Sequence, residues 1–264
     1  MKPIILFRSS EETLDELKTL SNVSNVYTSR AAIPNNSLVV GRYSVLPFYK
    51  ELETDLQYTN SILINSWDQH DYIADIERWT TDLKGLTPQT WFEWYGVPEG
   101  SYIVKGRTNS RKFQWKDQMF AETKADISQI AQTLLLDQLI VPQGLCVRKY
   151  IPLRRFDTAI NGLPICNEWR VFFFQRNLLS YGFYWSNFEE HKPYEKLPKK
   201  AMELLKHVAT IVSKHTNFYV VDIAECENGD WIVIELNDGQ MSGLSMNDPV
   251  TLYINLIKSI QQTY

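Results

Sequence analysis

Apolar residues change their spacing along the chain in ways that mark out successive elements. "PIILF" (3–7) is a short β-rich run, and "SSEETLDELKTL" follows with Ser9 and Glu12 at capping-box spacing and leucines at 14, 17 and 20, which predicts a strand and then a helix. "SLVVGR" (37–42) and "SILINS" (61–66) repeat the strand signal around a helix over "LPFYKELETDL", so the first ninety-odd residues read as a small α/β layer. From Trp67 to Trp94 the pattern is mostly helical, with Ile73, Ile76, Trp79 and Leu83 near one face, up to the Gly/Pro loop "YGVPEG" (95–100). Beyond that loop, "SYIVKG" (101–106) predicts a strand and "KADISQIAQTLLLDQ" a helix with Asp126 and Gln129 in capping positions. Five more strands follow, at 144–151, 168–174, 178–185, 218–225 and 231–237, with helices over 198–215 and from about Pro249. Strand runs of this kind predict an α+β, largely antiparallel unit rather than a doubly wound sheet.

Composition narrows the class. At 264 residues and 44% hydrophobic the chain can bury a sizeable core. A net charge of -4 gives no global reason to expect a nucleic-acid or membrane partner. Cys146, Cys166 and Cys226 are odd in number and have no paired short spacing, against a disulfide framework or a cysteine-rich zinc site and consistent with a reducing, cytoplasmic setting. The five-residue apolar run before Arg8 is too short for a signal segment, and no window approaches a membrane span.

The segment "VVDIAECENGDWIVIELND" (220–238) carries the candidate chemistry. If Asn228-Gly229 make a two-residue type I′ turn, Asp222 lies directly across from Glu235, and Asn237 shares their face. Val221, Ile223, Ile234 and Leu236 would then point to the other, apolar face. Opposed carboxylates repel unless something positive sits between them, and two carboxylates with an amide oxygen suit Mg²⁺. On that reading, alanine at Asp222 or Glu235 relieves repulsion. The alternative is that both simply face solvent.

Cations stand elsewhere in the chain. "KGRTNSRKFQWK" (105–116) carries Lys105, Arg107, Arg111, Lys112 and Lys116 without an acid, and Lys105 ends an apolar run that should bury its stem. Phe113 and Trp115 lie inside this basic loop. "VRKYIPLRR" (147–155) adds Arg148 and Lys149, and Arg170 sits within "EWRVFFF", where it meets either an acid such as Glu168 or a ligand anion.

Taken together, a lysine at a strand end, "VRKYIPL", "EWRVFFF" and "VVDIAE…WIVIELND" resemble the ATP-grasp fold. More closely they resemble its divergent clade marked by one arginine and two lysines, that of the eukaryotic cell-division-cycle protein that assists assembly of translation initiation factor 2, with many phage and bacterial members. The resemblance implies a pre-ATP-grasp α/β domain over 1–95, a small subdomain with the phosphate-covering loop over 96–145, and a C-terminal subdomain over 146–264. It implies nucleotide contacts from Lys105, Arg107, Lys112, Trp115 and Arg148, with Lys149, Tyr150 and Ile151 beside the adenine. Arg170 would face the transferred phosphate, and Asp222, Glu235 and Asn237 would hold Mg²⁺. No separate acidic ribose ligand stands out.

The activity so implied is an ATP- and Mg²⁺-dependent ligase that forms a carbon–nitrogen bond through an acyl phosphate, acting on a peptide or protein. Two other classes stay open: an assembly chaperone that holds ATP without turnover, and an RNA-binding protein using 105–116 and 147–155 as a basic, aromatic groove. The four histidines show no metal-site spacing.

Overall fold

The computed structural model describes residues 2–43 and 48–263. Part of the helix expected over "LPFYKELETDL" therefore lies outside the described residues; its visible portion is helical from Tyr49.

The N-terminal layer runs β1 (Lys2–Phe7), α1 (Leu14–Val23), β2 (Val26–Tyr27), β3 (Ser37–Arg42), α2 (Tyr49–Gln57) and β4 (Ile62–Leu63). Its strands form a parallel sheet in the order β2-β1-β3-β4. The helix after β1 is capped one position later than the pattern predicts, by Ser10 with Thr13. Next come α3 (Trp67–Ala74) and α4 (Ile76–Trp79). Ile73, Ile76, Trp79 and Leu83 are all buried on one face, as predicted. The helical reading of 80–94 fails, however: those residues make turns and the short strand β5 (Thr90–Trp91).

Beyond it run β6 (Tyr102–Gly106), α5 (Trp115–Gln118), β7 (Phe120–Ala121), α6 (Asp126–Leu134) and β8 (Leu145–Lys149). They build an antiparallel sheet in the order β5-β8-β6-β7 against α6. Thr123 begins the capping turn of α6, because the Asp126 carboxylate accepts from the Thr123 backbone N–H (2.8 Å) and hydroxyl (2.9 Å). Strand 145–149 thus pairs inside the middle sheet, and the sheet starts at Thr90, so strand pairing cuts across the divisions expected at 95/96 and 145/146.

After the small hairpin β9 (Arg155–Thr158) and β10 (Pro164–Cys166) come β11 (Glu168–Phe174), β12 (Asn177–Phe183), α7 (Lys199–Val212), β13 (Phe218–Glu225), β14 (Trp231–Asp238) and α8 (Pro249–Thr263). The last sheet is antiparallel in the order β12-β11-β13-β14. The α+β expectation is met. One side of this sheet packs Trp169, Val171, Val221, Ile223 and Val233 on α7. At its far end the other side packs Phe172, Phe174, Phe218 and Val220 on α8 and the N-terminal layer.

Polar groups tie the layers together where apolar ones could not specify register. Arg42, fully buried, pairs with Glu16 and donates to the Ser242 carbonyl at 3.0 Å, anchoring the chain that follows β14. Asn65, also fully buried, accepts from the Phe218 N–H at 2.9 Å and donates to its carbonyl at 2.8 Å and to Asp238 Oδ1 at 3.0 Å. Removing that side chain strands several buried partners, each costing roughly 1–3 kcal/mol. Asn65→Ala should therefore lower stability in urea denaturation by about 3 kcal/mol; a loss below about 1 kcal/mol would mean water replaces the amide without cost.

Candidate functional site

The register of the last sheet builds the site. Asp222 is the pairing partner of both Arg170 on β11 and Glu235 on β14. The opposition of Asp222 and Glu235 is as expected, but it is reached by another route. The turn is a three-residue loop: Gly229 N–H donates to the Cys226 carbonyl and Cys226 N–H to that of Asp230. Gly229 alone of the loop takes positive φ (79°), and the Asn228 carboxamide oxygen accepts from the Asp230 N–H. This wider turn offsets the strands by one residue. A bulge between Asp222 and Ile223 then removes the offset. The bulge also corrects two faces: Val233 is buried in the core, and Ile234 lines a cavity on the carboxylate side.

The charges in this cluster neutralise one another. Arg170 grips Asp222 through two parallel bonds, Nε to Oδ1 at 2.9 Å and Nη2 to Oδ2 at 2.8 Å, so its partner is Asp222 and not Glu168. Lys105, 4% exposed at the end of β6, is ion-paired with Glu235. Burial alone pushes the Glu235 carboxyl up, but the Lys105 ammonium outweighs it and holds the group at about 2. The Asn237 amide lies 3.5 Å from an oxygen of each carboxylate. Repulsion between the two acids is thus relieved by protein cations, and proximity alone does not require a metal. Alanine at Asp222 would orphan a buried guanidinium rather than ease strain. The donor set still fits a hard cation that shares its shell with phosphate and water: two carboxylates and an amide oxygen. Among the described residues, no three His, Cys, Asp or Glu side chains are grouped to hold a metal by themselves.

Two cavities meet at Glu235. The first, about 150 Å³, is lined by Lys105, Lys112, Trp115, Arg148, Lys149, Tyr150 and Ile151, which gathers most of the expected nucleotide set. Ile103, Met119, Leu163 and Ile234 give it an apolar end. Trp115 stacks on Phe120 at 5.7 Å, and the Lys112 ammonium bonds the Tyr184 hydroxyl at 2.6 Å. Arg148 reaches the exposed backbone of the bulge, donating to the Ile234 carbonyl at 2.6 Å, and to Thr87 at 2.7 Å. The second cavity, about 730 Å³, is bounded by Arg170, Glu235, Asn237, the turn after β14, α3 and Arg107. Arg107 therefore belongs to this larger space, paired with Asp75 and Glu77. Arg111 pairs with Asp137. Four of the five cations in 105–116 have partners within the protein, three of them carboxylates.

Three features were not found from sequence. Glu168 lines the first cavity, nearly buried, and its carboxyl makes no hydrogen bond among the described residues. Burial first, and then the charge of Asp222, push it up to about 8. Gly182 pairs with Arg170, and only a residue without Cβ lets the backbone of Met246 and Asn247 pass so close. That passage brings the Gly243 carbonyl within 3.0 Å of Arg170 Nη1. His70 bonds Asp238 on the wall of the second cavity, and lone histidines carry no spacing signal.

The chain resembles solved structures along nearly its whole length. D-cycloserine synthetase DcsG superposes with a TM-score of 0.62 at 10% identity, covering 98% of this chain and 99% of that one. D-alanyl-alanine synthetase A from Vibrio cholerae O1 biovar eltor gives 0.58 at 13% identity, with 99% and 98% covered. The ATP-grasp ligase PsnB complexed with minimal precursor, Mg and ADP gives 0.57 at 10% identity, with 99% and 98% covered. At such identities the likeness shows the fold alone. No curated protein is a significant match. A family model described as "ATP-grasp domain, R2K clade family 3" matches residues 92–256, more than half of the chain and all three of Lys105, Arg170 and the carboxylate hairpin. The protein belongs to this ATP-grasp family.

Proposed function

We propose that the protein is an ATP- and Mg²⁺-dependent ligase that joins a carboxylate to an amine through an acyl phosphate, with a peptide or protein as substrate. The observation that carries this reading is the junction itself: a cation-lined cavity and a larger one share Glu235, and Arg170 lines the larger one. Solved structures of the same fold include D-alanyl-alanine synthetase A and the ATP-grasp ligase PsnB complexed with minimal precursor, which supports the substrate class by analogy.

In this reading the adenine enters the apolar end of the first cavity, beside Tyr150 and Ile151. Glu168, a carboxyl free to hydrogen-bond, takes the ribose hydroxyls. Lys105, with Lys112 and Arg148, draws the phosphates toward Glu235. Asp222, Glu235 and Asn237 would hold Mg²⁺, which when bound supplies neutralisation of phosphate charge. The substrate carboxylate then attacks the γ-phosphorus, the bond to the bridging β-oxygen breaks, and ADP leaves. Arg170 stabilises the negative charge on the moving phosphoryl group. The amine attacks the acyl carbon and inorganic phosphate departs. The chain needs no covalent nucleophile, and its buried cysteines need no role in the reaction.

The decisive experiment is ADP release screened over amino acids, peptides and candidate protein substrates with Mg·ATP; binding without release under every condition would favour the chaperone reading. Asp222→Asn and Glu235→Gln, which keep side-chain size but remove the charge that faces Arg170 and Lys105, should each lower turnover by on the order of 10²–10³. Near-normal ATP hydrolysis in both would remove the metal assignment. Lys105→Met should weaken nucleotide affinity in calorimetry, whereas Arg170→Lys should reduce kcat more than affinity; the opposite ranking would exchange the two roles.

Glu168 adds a pH test. A carboxyl at about 8 in the fold holds its proton more tightly than in the unfolded chain. It therefore costs nothing below the ordinary carboxylate range and lowers stability progressively as pH rises through 8. The stability of Glu168→Gln relative to the parent should grow between about pH 5 and about pH 8 in urea titrations, and its ATP affinity should fall about tenfold. A pH-independent difference would mean that the carboxyl is ionised throughout.

A further inference from the structure

The larger cavity contains a titratable group that this mechanism leaves unused. His70 on α3 is 7% exposed, its ring stacked on Tyr49 at 4.4 Å and tilted against Trp67 at 5.6 Å. Its Nδ1 lies 2.9 Å from Asp238 Oδ2. Asp238, the residue after Asn237, is 3% exposed. Its other neighbours are all N–H donors: Asn65 Nδ2 at 3.0 Å and the Gln240 backbone N–H at 2.8 Å on Oδ1, and Gln240 Nε2 at 3.3 Å on Oδ2. A carboxyl surrounded in this way has nowhere to donate a proton of its own, so the hydrogen in the bond to His70 belongs to Nδ1. In the neutral ring Nε2 is then the bare nitrogen. It has no partner among the described residues, and His70 lines the same cavity as Arg170 and Glu235.

We propose that His70 is the base that takes the proton from the amine nucleophile, and that the larger cavity admits this amine as a cation. The inference rests on the ligase reading above. Of the carboxylates on the cavity wall, Asp71 is paired with Arg78 and Glu235 with Lys105, but Asp75 shares Arg107 with Glu77 and, among the described residues, Asp238 has only His70 as an ion-pair partner, so the wall keeps an excess of negative charge. Glu53, on α2, accepts from the Trp67 N–H beside the ring. An ammonium group is thus attracted, and it must lose a proton before it can attack. His70 Nε2 accepts that proton; the freed lone pair forms the bond to the acyl carbon, and the carbon–oxygen bond to phosphate breaks. The second proton lost from nitrogen leaves with phosphate as hydrogenphosphate, and the imidazolium, bonded to Asp238, returns its proton to solvent. A histidine that merely clamps α3 to β14 would need only its Nδ1 side.

Two measurements separate these roles. Long-range ¹H–¹⁵N NMR of the histidine side chains, with the His70 signals identified by their loss in His70→Asn, should show the Nδ1–H form at neutral pH; an Nε2–H ring overturns the proposal. His70→Asn keeps a donor toward Asp238 and removes the base, and retained Mg·ADP affinity checks that the site is still assembled. With the carboxylate found in the ADP-release screen, the ratio of release driven by glycinamide or short peptide amines to release driven by hydroxylamine, already neutral at assay pH, should fall by on the order of 10²–10⁴ in the variant. Equal loss with both nucleophiles, or loss with neither, overturns it. If the ligase reading itself fails, the unaltered protein releases no ADP with any nucleophile even though the ring has the expected form, and the amine assignment falls with it.

Discussion

The site depends on one constraint: three adjacent strands must place Arg170, Asp222 and Glu235 in lateral register while keeping every charge matched inside a largely dry sheet. A lone buried carboxylate or guanidinium would cost several kcal/mol, more than many domains can spare from a net stability of about 5–15 kcal/mol. The fold meets the constraint with two pairs, Arg170 with Asp222 and Lys105 with Glu235. One pair lies within the C-terminal sheet. The other joins that sheet to the middle one. The ion pair from β6 to β14 therefore serves as a latch between sheets and, in the proposed reading, as a store of phosphate-binding charge, and Arg148 reinforces it through the Ile234 carbonyl.

This pairing shapes what ligand binding must do. The cluster itself holds two cations and two carboxylates in matched pairs. An arriving nucleotide brings phosphate charge for the cations and, in the proposed reading, a metal ion for the carboxylates. Each ionic partner is exchanged for another of the same sign, so no group passes through an unpaired buried state. The Asn237 amide, 3.5 Å from both acids, suits such an exchange because it neither adds nor removes charge. The larger cavity follows the same logic on a smaller scale: Arg107 is matched by Asp75 and Glu77 before any substrate arrives.

Legibility of the sequence varied with the range of the interaction. Apolar periodicity reported the helix face of Ile73, Ile76 and Trp79 and the strands of the last sheet, because burial is a local pattern once an element has formed. It failed over 80–94, where aromatic spacing resembles a helix while turns and the pairing of Thr90 and Trp91 with β8 decide the backbone. The facing of Asp222 and Glu235 was legible only through two compensating departures. A three-residue turn shifted the strands, and the bulge shifted them back. Spacing offers Arg170 either an acid such as Glu168, because i and i+2 share a face, or a ligand anion; the cross-strand neighbour Asp222 takes it instead, since it allows two parallel bonds. Contacts bridging distant segments, such as His70 with Asp238, leave no trace in spacing.

The N-terminal layer explains why a nucleotide-binding sheet carries so much additional chain. The family match begins at residue 92, yet the larger cavity is walled by α3 and by a post-β14 turn that the N-terminal layer holds in place. Arg42 fixes the Ser242 carbonyl, Gln240 accepts from the Gly41 N–H at 2.9 Å and donates to Tyr49, and Asn65 locks the start of β13. The Arg42 and Gln240 bonds, with that from Asn65 to Asp238, converge on the five residues that follow Asn237. A shift of that turn would move Asp238, and through it His70, together with the Gly243 carbonyl on Arg170. The layer thus ties the geometry around His70 to that around Arg170 through backbone that both share, and in the proposed reading a substrate that orders the amine side would order the phosphate side.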